Sequence, residues 1–151
     1  MIRSFSASYA GHVVDDGLGF GGVPANDRQY SNEQLAQSFS WALDIAQHLE
    51  TLGYDEFWMA EHHFQPEGYE CNPNLLMLNL YLAHHTERIK FGCGFNIAPM
   101  WHPLRLAEDF AMADILTGGR VIFGVGRGYH TREVETFGSP MLDGDANREL
   151  L

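Results

Sequence analysis

Three short stretches of the chain hold residue types that move protons or grip anions. Glu61-His62-His63 sets two imidazoles beside a carboxylate. An imidazole titrates near neutrality and so serves as a general base. Adjacent residues at a strand end point to opposite faces, so His62 and His63 are poor joint ligands for one ion, and no metal site is expected. One of them can face a pocket; a loop histidine bonded to backbone is the plainer alternative. In the second stretch, Gly124-Val125-Gly126-Arg127-Gly128, the glycines invite a nucleotide reading. A dinucleotide fingerprint needs GxGxxG running straight into a helix. Here the third glycine comes one position early, and Tyr129-His130-Thr131-Arg132-Glu133 is not an obvious helix. Arg127 carries more weight: a guanidinium just past a strand end can hold a phosphate through two parallel hydrogen bonds. Its ordinary alternative is a surface ion pair with Glu133 or Glu135. The third stretch, Gly92-Cys93-Gly94-Phe95, leaves one strand face bare. Glycine there admits a flat ligand or another backbone, unless it merely fills a tight interior or marks a bulge.

The elements that must position these residues follow a regular order. Ile2 to Tyr9 alternates as a strand, and a Gly-rich loop from Gly11 to Tyr30 is long enough to be a lid or binding loop. Ser31-Asn32-Glu33-Gln34 is a capping box ahead of a helix whose face carries Leu35, Phe39, Ala42, Ala46 and Leu49, with Gly53 as its stop. Glu56 to Ala60 is the second strand, and Asn72-Pro73 caps a leucine-rich helix running to about His85. His84-His85 then occupies a favourable place at a helix carboxyl end. Ile89 to Phe95 is the third strand, with Ile89, Phe91, Cys93 and Phe95 on its bulky side. Cys93 reads as an inert small hydrophobe. His102-Pro103 opens a helix with Leu106, Phe110, Ala113 and Leu116 on one face, ended by Gly118-Gly119; His102 is its cap or a pocket rim. Arg120 to Gly126 is the fourth strand, its bulky side Val121, Phe123 and Val125.

This βαβαβαβ order implies parallel strands with crossover helices, either an open doubly wound sheet or half of a (β/α)8 barrel. A whole barrel takes about 250 residues. Asp145 to Leu151 reads as a helix start that stops after one turn, which favours a partial domain over 1–151 cut early in its fourth helix. The bare glycine faces lie toward the carboxyl ends of the strands, where such folds bind ligands.

Composition narrows the classes. Lys+Arg total 9 against 20 Asp+Glu, a net charge of −11, with Lys90 the sole lysine. That balance argues against nucleic acid and anionic membranes. Apolar content of 45% excludes a disordered chain. No apolar run of about 18 residues is present, which excludes a membrane span. Cys71 and Cys93 lack metal or redox spacing, and the first residues lack a signal-peptide pattern, so a cytoplasmic protein with reduced thiols is expected.

Taken in order, Phe57-Trp58-Met59-Ala60-Glu61-His62-His63-Phe64, His102-Pro103-Leu104-Arg105-Leu106-Ala107-Glu108-Asp109, Leu116-Thr117-Gly118-Gly119-Arg120, Phe123 to Gly128 and Phe137-Gly138 resemble the bacterial luciferase-like flavin-dependent monooxygenases. The blocks keep that family's order and cover nearly the whole chain, matching the amino-terminal half of its barrel. The resemblance implies a (β/α)8 TIM barrel that uses reduced FMN and dioxygen to oxidise a small organic substrate, with a flavin reductase as a possible partner. It matches His62 to an active-site histidine, a general base near the flavin. It matches Gly94-Phe95 to a non-proline cis peptide supporting the ring, and Arg127 to an arginine on the flavin phosphate. The luciferases' reactive cysteine position is Gly126, so no thiol chemistry or light emission is implied. Two rivals keep the fold: a non-catalytic flavin-binding half-barrel that self-associates, and a deazaflavin-dependent oxidoreductase. A half-barrel leaves open strand edges, so a homo-oligomer or completion by a carboxyl-terminal half is expected.

Overall fold

The computed structural model describes residues 3–13 and 27–138. In chain order its elements are β1 (Ser6–Tyr9), α1 (Asn32–Thr51), β2 (Glu56–Met59), α2 (Leu75–His84), β3 (Lys90–Cys93) and β4 (Asn96–Ile97). A 3-10 turn (Ala98–Met100) leads to α3 (Pro103–Thr117), β5 (Val121–Ile122), β6 (Val125–Gly126) and α4 (Thr131–Thr136). The main sheet is wholly parallel in the order β1-β2-β3-β5, and β4 pairs with β6 as a short parallel continuation. This is the layout of half a (β/α)8 barrel. The expected fourth strand is thus split into two pairs of residues, with Phe123 and Gly124 between them. The glycine-rich loop over 14–26 and the helix start at 145–151 lie outside the described residues.

Local chemistry accounts for the helices. Ser31 Oγ accepts the Gln34 N–H at 3.3 Å and Gln34 Oε1 accepts the Ser31 N–H at 2.9 Å, closing the capping box of α1. Ala42 and Ala46 are fully buried, so this helix lies close to the sheet. Beyond it Gly53 adopts φ 84°, the left-handed conformation that lets the chain turn into β2. The α2 cap is Asn74, whose Oδ1 accepts the Met77 N–H at 2.9 Å, and not the expected Asn72. Asn72 stays buried in the preceding loop, where its carbonyl accepts the His62 N–H at 3.1 Å.

In α3 the buried stripe is Leu106, Phe110, Ala113 and Thr117; Leu116, expected on that face, is 65% exposed. Thr117 replaces it because its hydroxyl bonds the Ala113 carbonyl at 2.8 Å and enters the core satisfied. No helix among the described residues is long and apolar enough to cross a membrane.

The core lies between the sheet and its helices. Phe57 and Phe91 face each other in register on β2 and β3, both fully buried and worth about 1.5–3 kcal/mol apiece. Cys93 is buried beside them, with Asn79 Nδ2 at 3.4 Å from its sulfur. Burial, with a smaller contribution from the Glu61 charge, pushes that thiol up to about 12, in keeping with an inert hydrophobe.

Two charged side chains tie elements together. Glu50 at the end of α1 accepts the N–H groups of Glu87, Arg88 and Ile89, which aims the chain into β3. Arg120 reaches from the start of β5 to the carbonyls of Ala83 and Thr86, satisfying the open end of α2, while its Nε bonds the Thr117 carbonyl.

Candidate functional site

β2, β3 and β6 end around a cleft of about 400 Å³ lined by Ala60, Glu61, His62, Glu70, Gly94, Phe95, Ile97, Gly126, Arg127, Gly128 and Tyr129. His62, Gly94, Phe95 and Arg127, chosen from the sequence, thus share one cavity at the carboxyl ends of the strands. The Gly94–Phe95 peptide bond is cis. β3 has ended at Cys93 by then, and Phe95 leaves the helix-packed side expected for it and stands 53% exposed. Phe123 also departs from the buried face: it is 58% exposed and meets Phe110 edge-on at 4.2 Å. It lies beyond β5, the outermost strand of the described sheet, with no neighbouring strand to cover it.

The bare glycine faces divide. At Gly92 a Cβ would sit 2.3 Å from the Trp58 ring, its partner in register, so the indole fills that space. At Gly124 a Cβ would sit 1.8 Å from the Cys93 carbonyl oxygen; here one backbone needs room for another. Gly94 and Gly126 alone of the four line the cleft. Gly128 follows Arg127 at φ 77°, a backbone only glycine adopts without cost, and lets the chain pass Ile97. Arg127 is exposed at the rim and forms no ion pair among the described residues, including the Glu133 and Glu135 pairings weighed for it.

His62 is 5% exposed and held at both ring nitrogens. Its Nδ1 lies 3.0 Å from Glu133 Oε1, and its Nε2 lies 3.0 Å from Glu70 Oε2. The same Glu133 oxygen accepts the His63 N–H at 2.9 Å and the Gln65 amide at 3.2 Å. Burial alone would raise the Glu133 carboxyl, but hydrogen bonds from His62, the His63 N–H and Gln65 outweigh it and hold the group below the ordinary range. A carboxylate with those duties is an acceptor, so the network assigns the Nδ1 hydrogen of His62 to it and leaves Nε2 as the nitrogen that meets Glu70.

His63 turns the other way. Its Nε2 bonds Glu61 Oε1 at 3.0 Å, and its ring meets Phe137 edge-on at 4.9 Å. Glu61 is fully engaged: it also accepts the Ile97 N–H at 3.1 Å and the Trp101 indole N–H at 2.9 Å. The two histidines serve different carboxylates, as the alternation of a strand end requires.

Sequence reasoning missed Glu133, Glu70 and His130. Glu133 lies on α4, in the segment not read as helical. That helix has only six residues, too few for periodicity to register, and tertiary contacts hold it. Val134 is fully buried, and Arg132 forks onto Glu67 at 2.8 and 2.7 Å while also bonding the Phe64 carbonyl. Phe64 itself sits at φ 56°, turning the loop after His63 back toward α4. The ends of the 11–30 loop dock on the same loop, through Val13 N–H to the Gly68 carbonyl and Tyr30 N–H to the Pro66 carbonyl.

Known monooxygenases resemble this chain in sequence and in fold. Limonene 1,2-monooxygenase of Rhodococcus erythropolis is 35% identical over 101 residues, 67% of this chain and 26% of that protein. The oxygenase component of flavin-dependent trigonelline monooxygenase from Acinetobacter baylyi is 30% identical over 109 residues, 72% of this chain and 30% of that protein. The oxygenating constituent of 3,6-diketocamphane monooxygenase from Pseudomonas putida, solved with FMN, superposes with a TM-score of 0.68 at 26% identity, covering 84% of this chain and 35% of that one. The chain therefore spans about a third of the length of the relatives it matches. The family model for luciferase-like monooxygenases matches residues 20–150, and the chain belongs to that family.

Proposed function

We propose that this chain forms the flavin-facing half of an FMN-dependent monooxygenase that oxidises a small organic substrate with dioxygen, electrons arriving from a separate flavin reductase. The observation that carries the reading is the cleft itself: one cavity at the strand ends lined by an exposed arginine, a buried histidine and an exposed aromatic side chain. Those residues suit a flat ring that carries a phosphate. Arg127 has no acid to neutralise it among the described residues and offers a bidentate fork. Gly94 and Gly126 keep the floor low, and Phe95 offers an apolar face. A bound reduced flavin supplies the electrons that activate dioxygen.

The chain's own residues do the rest. Glu133 fixes the His62 ring by accepting from Nδ1. Nε2 faces Glu70 at 3.0 Å, close enough for the two groups to hold one proton between them at the cleft wall. Such a proton can be delivered or received without moving the backbone. The Tyr129 ring meets the His62 ring edge-on at 5.8 Å on the same cleft wall. The open side of the four-stranded sheet is closed in this reading by four further strands, from another segment or a second chain.

Fluorescence titration of FMN against the completed barrel tests the reading. Arg127→Ala should weaken binding by about 1.5–3 kcal/mol, the worth of a hydrogen bond to a charged group. That is a factor of roughly 10–150 in Kd. An unchanged Kd removes the phosphate role, and preference for a deazaflavin over FMN would replace the cofactor.

A further inference from the structure

We propose that His62, Glu70 and His130 form a binding site for a divalent transition ion of the zinc class, and that occupation of this site takes the Nε2 lone pair of His62 out of proton chemistry. Three donor atoms from three parts of the chain converge there. Glu70 Oε2 lies 3.0 Å from His62 Nε2 and 3.8 Å from His130 Nε2, and all three ligand atoms fall within 4.8 Å of one another. Zinc bonds of about 2.0–2.2 Å in a tetrahedral shell put ligand atoms about 3.3 Å apart, so small side-chain rotations complete the site. Two imidazoles and one carboxylate are a ligand set that zinc accepts, with its fourth position left open.

The surroundings favour an ion as well. The other nitrogen of His62 is already bound to the buried Glu133 carboxylate, the outer partner that orients a metal-ligating histidine and fixes its tautomer. The His62 and His130 rings stand edge to face at 5.0 Å, so both Nε2 atoms reach the same carboxylate oxygen. Glu70 and His130 are 24% and 36% exposed while His62 is 5% exposed, which gives an entry path from solvent to an anchored inner ligand. The His62–His63 pair weighed from the sequence is not involved; the partner histidine is 68 residues further on.

Zinc binding is independent of the flavin reading; only its inhibitory consequence rests on it. Calorimetric titration of the chain with zinc chloride, against a competing chelator, should give one tight equivalent. His130→Ala and Glu70→Gln should each weaken it more than about tenfold, with circular dichroism checking that the fold survives. The double variant His84→Ala/His85→Ala controls for surface histidines and should leave it unchanged. Absence of a tight equivalent, or an equivalent indifferent to His130→Ala and Glu70→Gln, overturns the site. In the completed enzyme, zinc should suppress turnover in wild type but not in His130→Ala. Zinc that binds as described yet leaves turnover intact overturns the proton role of His62 and leaves the metal site standing.

Discussion

Glu133 offers the sharpest test of how the cleft is built, because charge and shape can be separated there. All three of its hydrogen bonds end on one oxygen, Oε1. Glu133→Gln can place its amide carbonyl at that point and keep every donor satisfied. It exchanges charge-assisted bonds for neutral ones of roughly half the strength, so the loss should be about 1–2 kcal/mol. Glu133→Ala leaves the buried His62 Nδ1 hydrogen without an acceptor and opens a void, for a loss of about 3–4 kcal/mol. That is a large share of the roughly 5–15 kcal/mol that holds a domain together. The pH dependence follows from the sign of the shift. The carboxyl is held below its ordinary value in the folded state, so its contribution is complete above the unfolded value and drains away as pH falls through the folded one. Urea unfolding at neutral pH should therefore rank wild type above Gln above Ala. The gap between wild type and Gln should close as pH drops below the ordinary glutamate range. Equal losses for Gln and Ala, or a gap that persists into acid, would refute the view that Glu133 acts as an anchored carboxylate for His62.

Other substitutions probe neighbouring claims. His62→Ala should slow turnover of the completed barrel by about 10²–10⁴-fold, the worth of a positioned base, and His63→Ala should do far less; the reverse order in steady-state assays would exchange their roles. Arg120→Ala should lower the urea midpoint by an amount corresponding to about 2–3 kcal/mol, since two carbonyls at the end of α2 lose their donor; an unchanged midpoint would mean water replaces it. Gly124→Ala should cost about 4 kcal/mol or more, because the new methyl meets a backbone oxygen at 1.8 Å. Gly94→Ala meets the Trp58 ring at 3.3 Å and the Met59 carbonyl oxygen at an ordinary 3.6 Å, and should cost about 1 kcal/mol; matching thermal midpoints for the two alanines would contradict the packing described.

The parts of the fold that the sequence reveals are those governed by local rules. The α1 capping box, the glycine stops at Gly53 and Gly118, and the parallel order all rest on interactions within a few residues or on a repeating pattern. Errors arise where a neighbour distant in sequence decides the outcome. Thr117 displaces Leu116 from the core because its hydroxyl finds a carbonyl, which hydropathy alone does not register. Asn74 rather than Asn72 caps α2 because the helix begins at Leu75 and it is the Asn74 side chain that reaches the Met77 N–H, while the Asn72 carbonyl accepts the His62 N–H across the loop. Phe95 and Phe123 abandon strand alternation where β3 and β5 stop.

The site divides along the same line. His62, Gly94, Phe95 and Arg127 lie at or just beyond strand ends, so their place in one cleft follows once the strands are parallel and adjacent. The acids that meet the two ring nitrogens of His62 do not follow from that logic. Glu70 comes from the loop before α2, and Glu133 from a six-residue helix that forms through Arg132–Glu67 and buried Val134. What the alternation of Glu61, His62 and His63 does settle is which imidazole each acid can reach. Glu61 and His63 lie on one side and bond each other, leaving His62 to the opposite side, where Glu70, Glu133 and His130 gather. The side to which His62 turns thus follows from a strand's two-residue period, while the groups that meet it there, Glu70 from the loop before α2 and Glu133 and His130 about seventy residues further on, are brought by tertiary contacts that periodicity cannot reach.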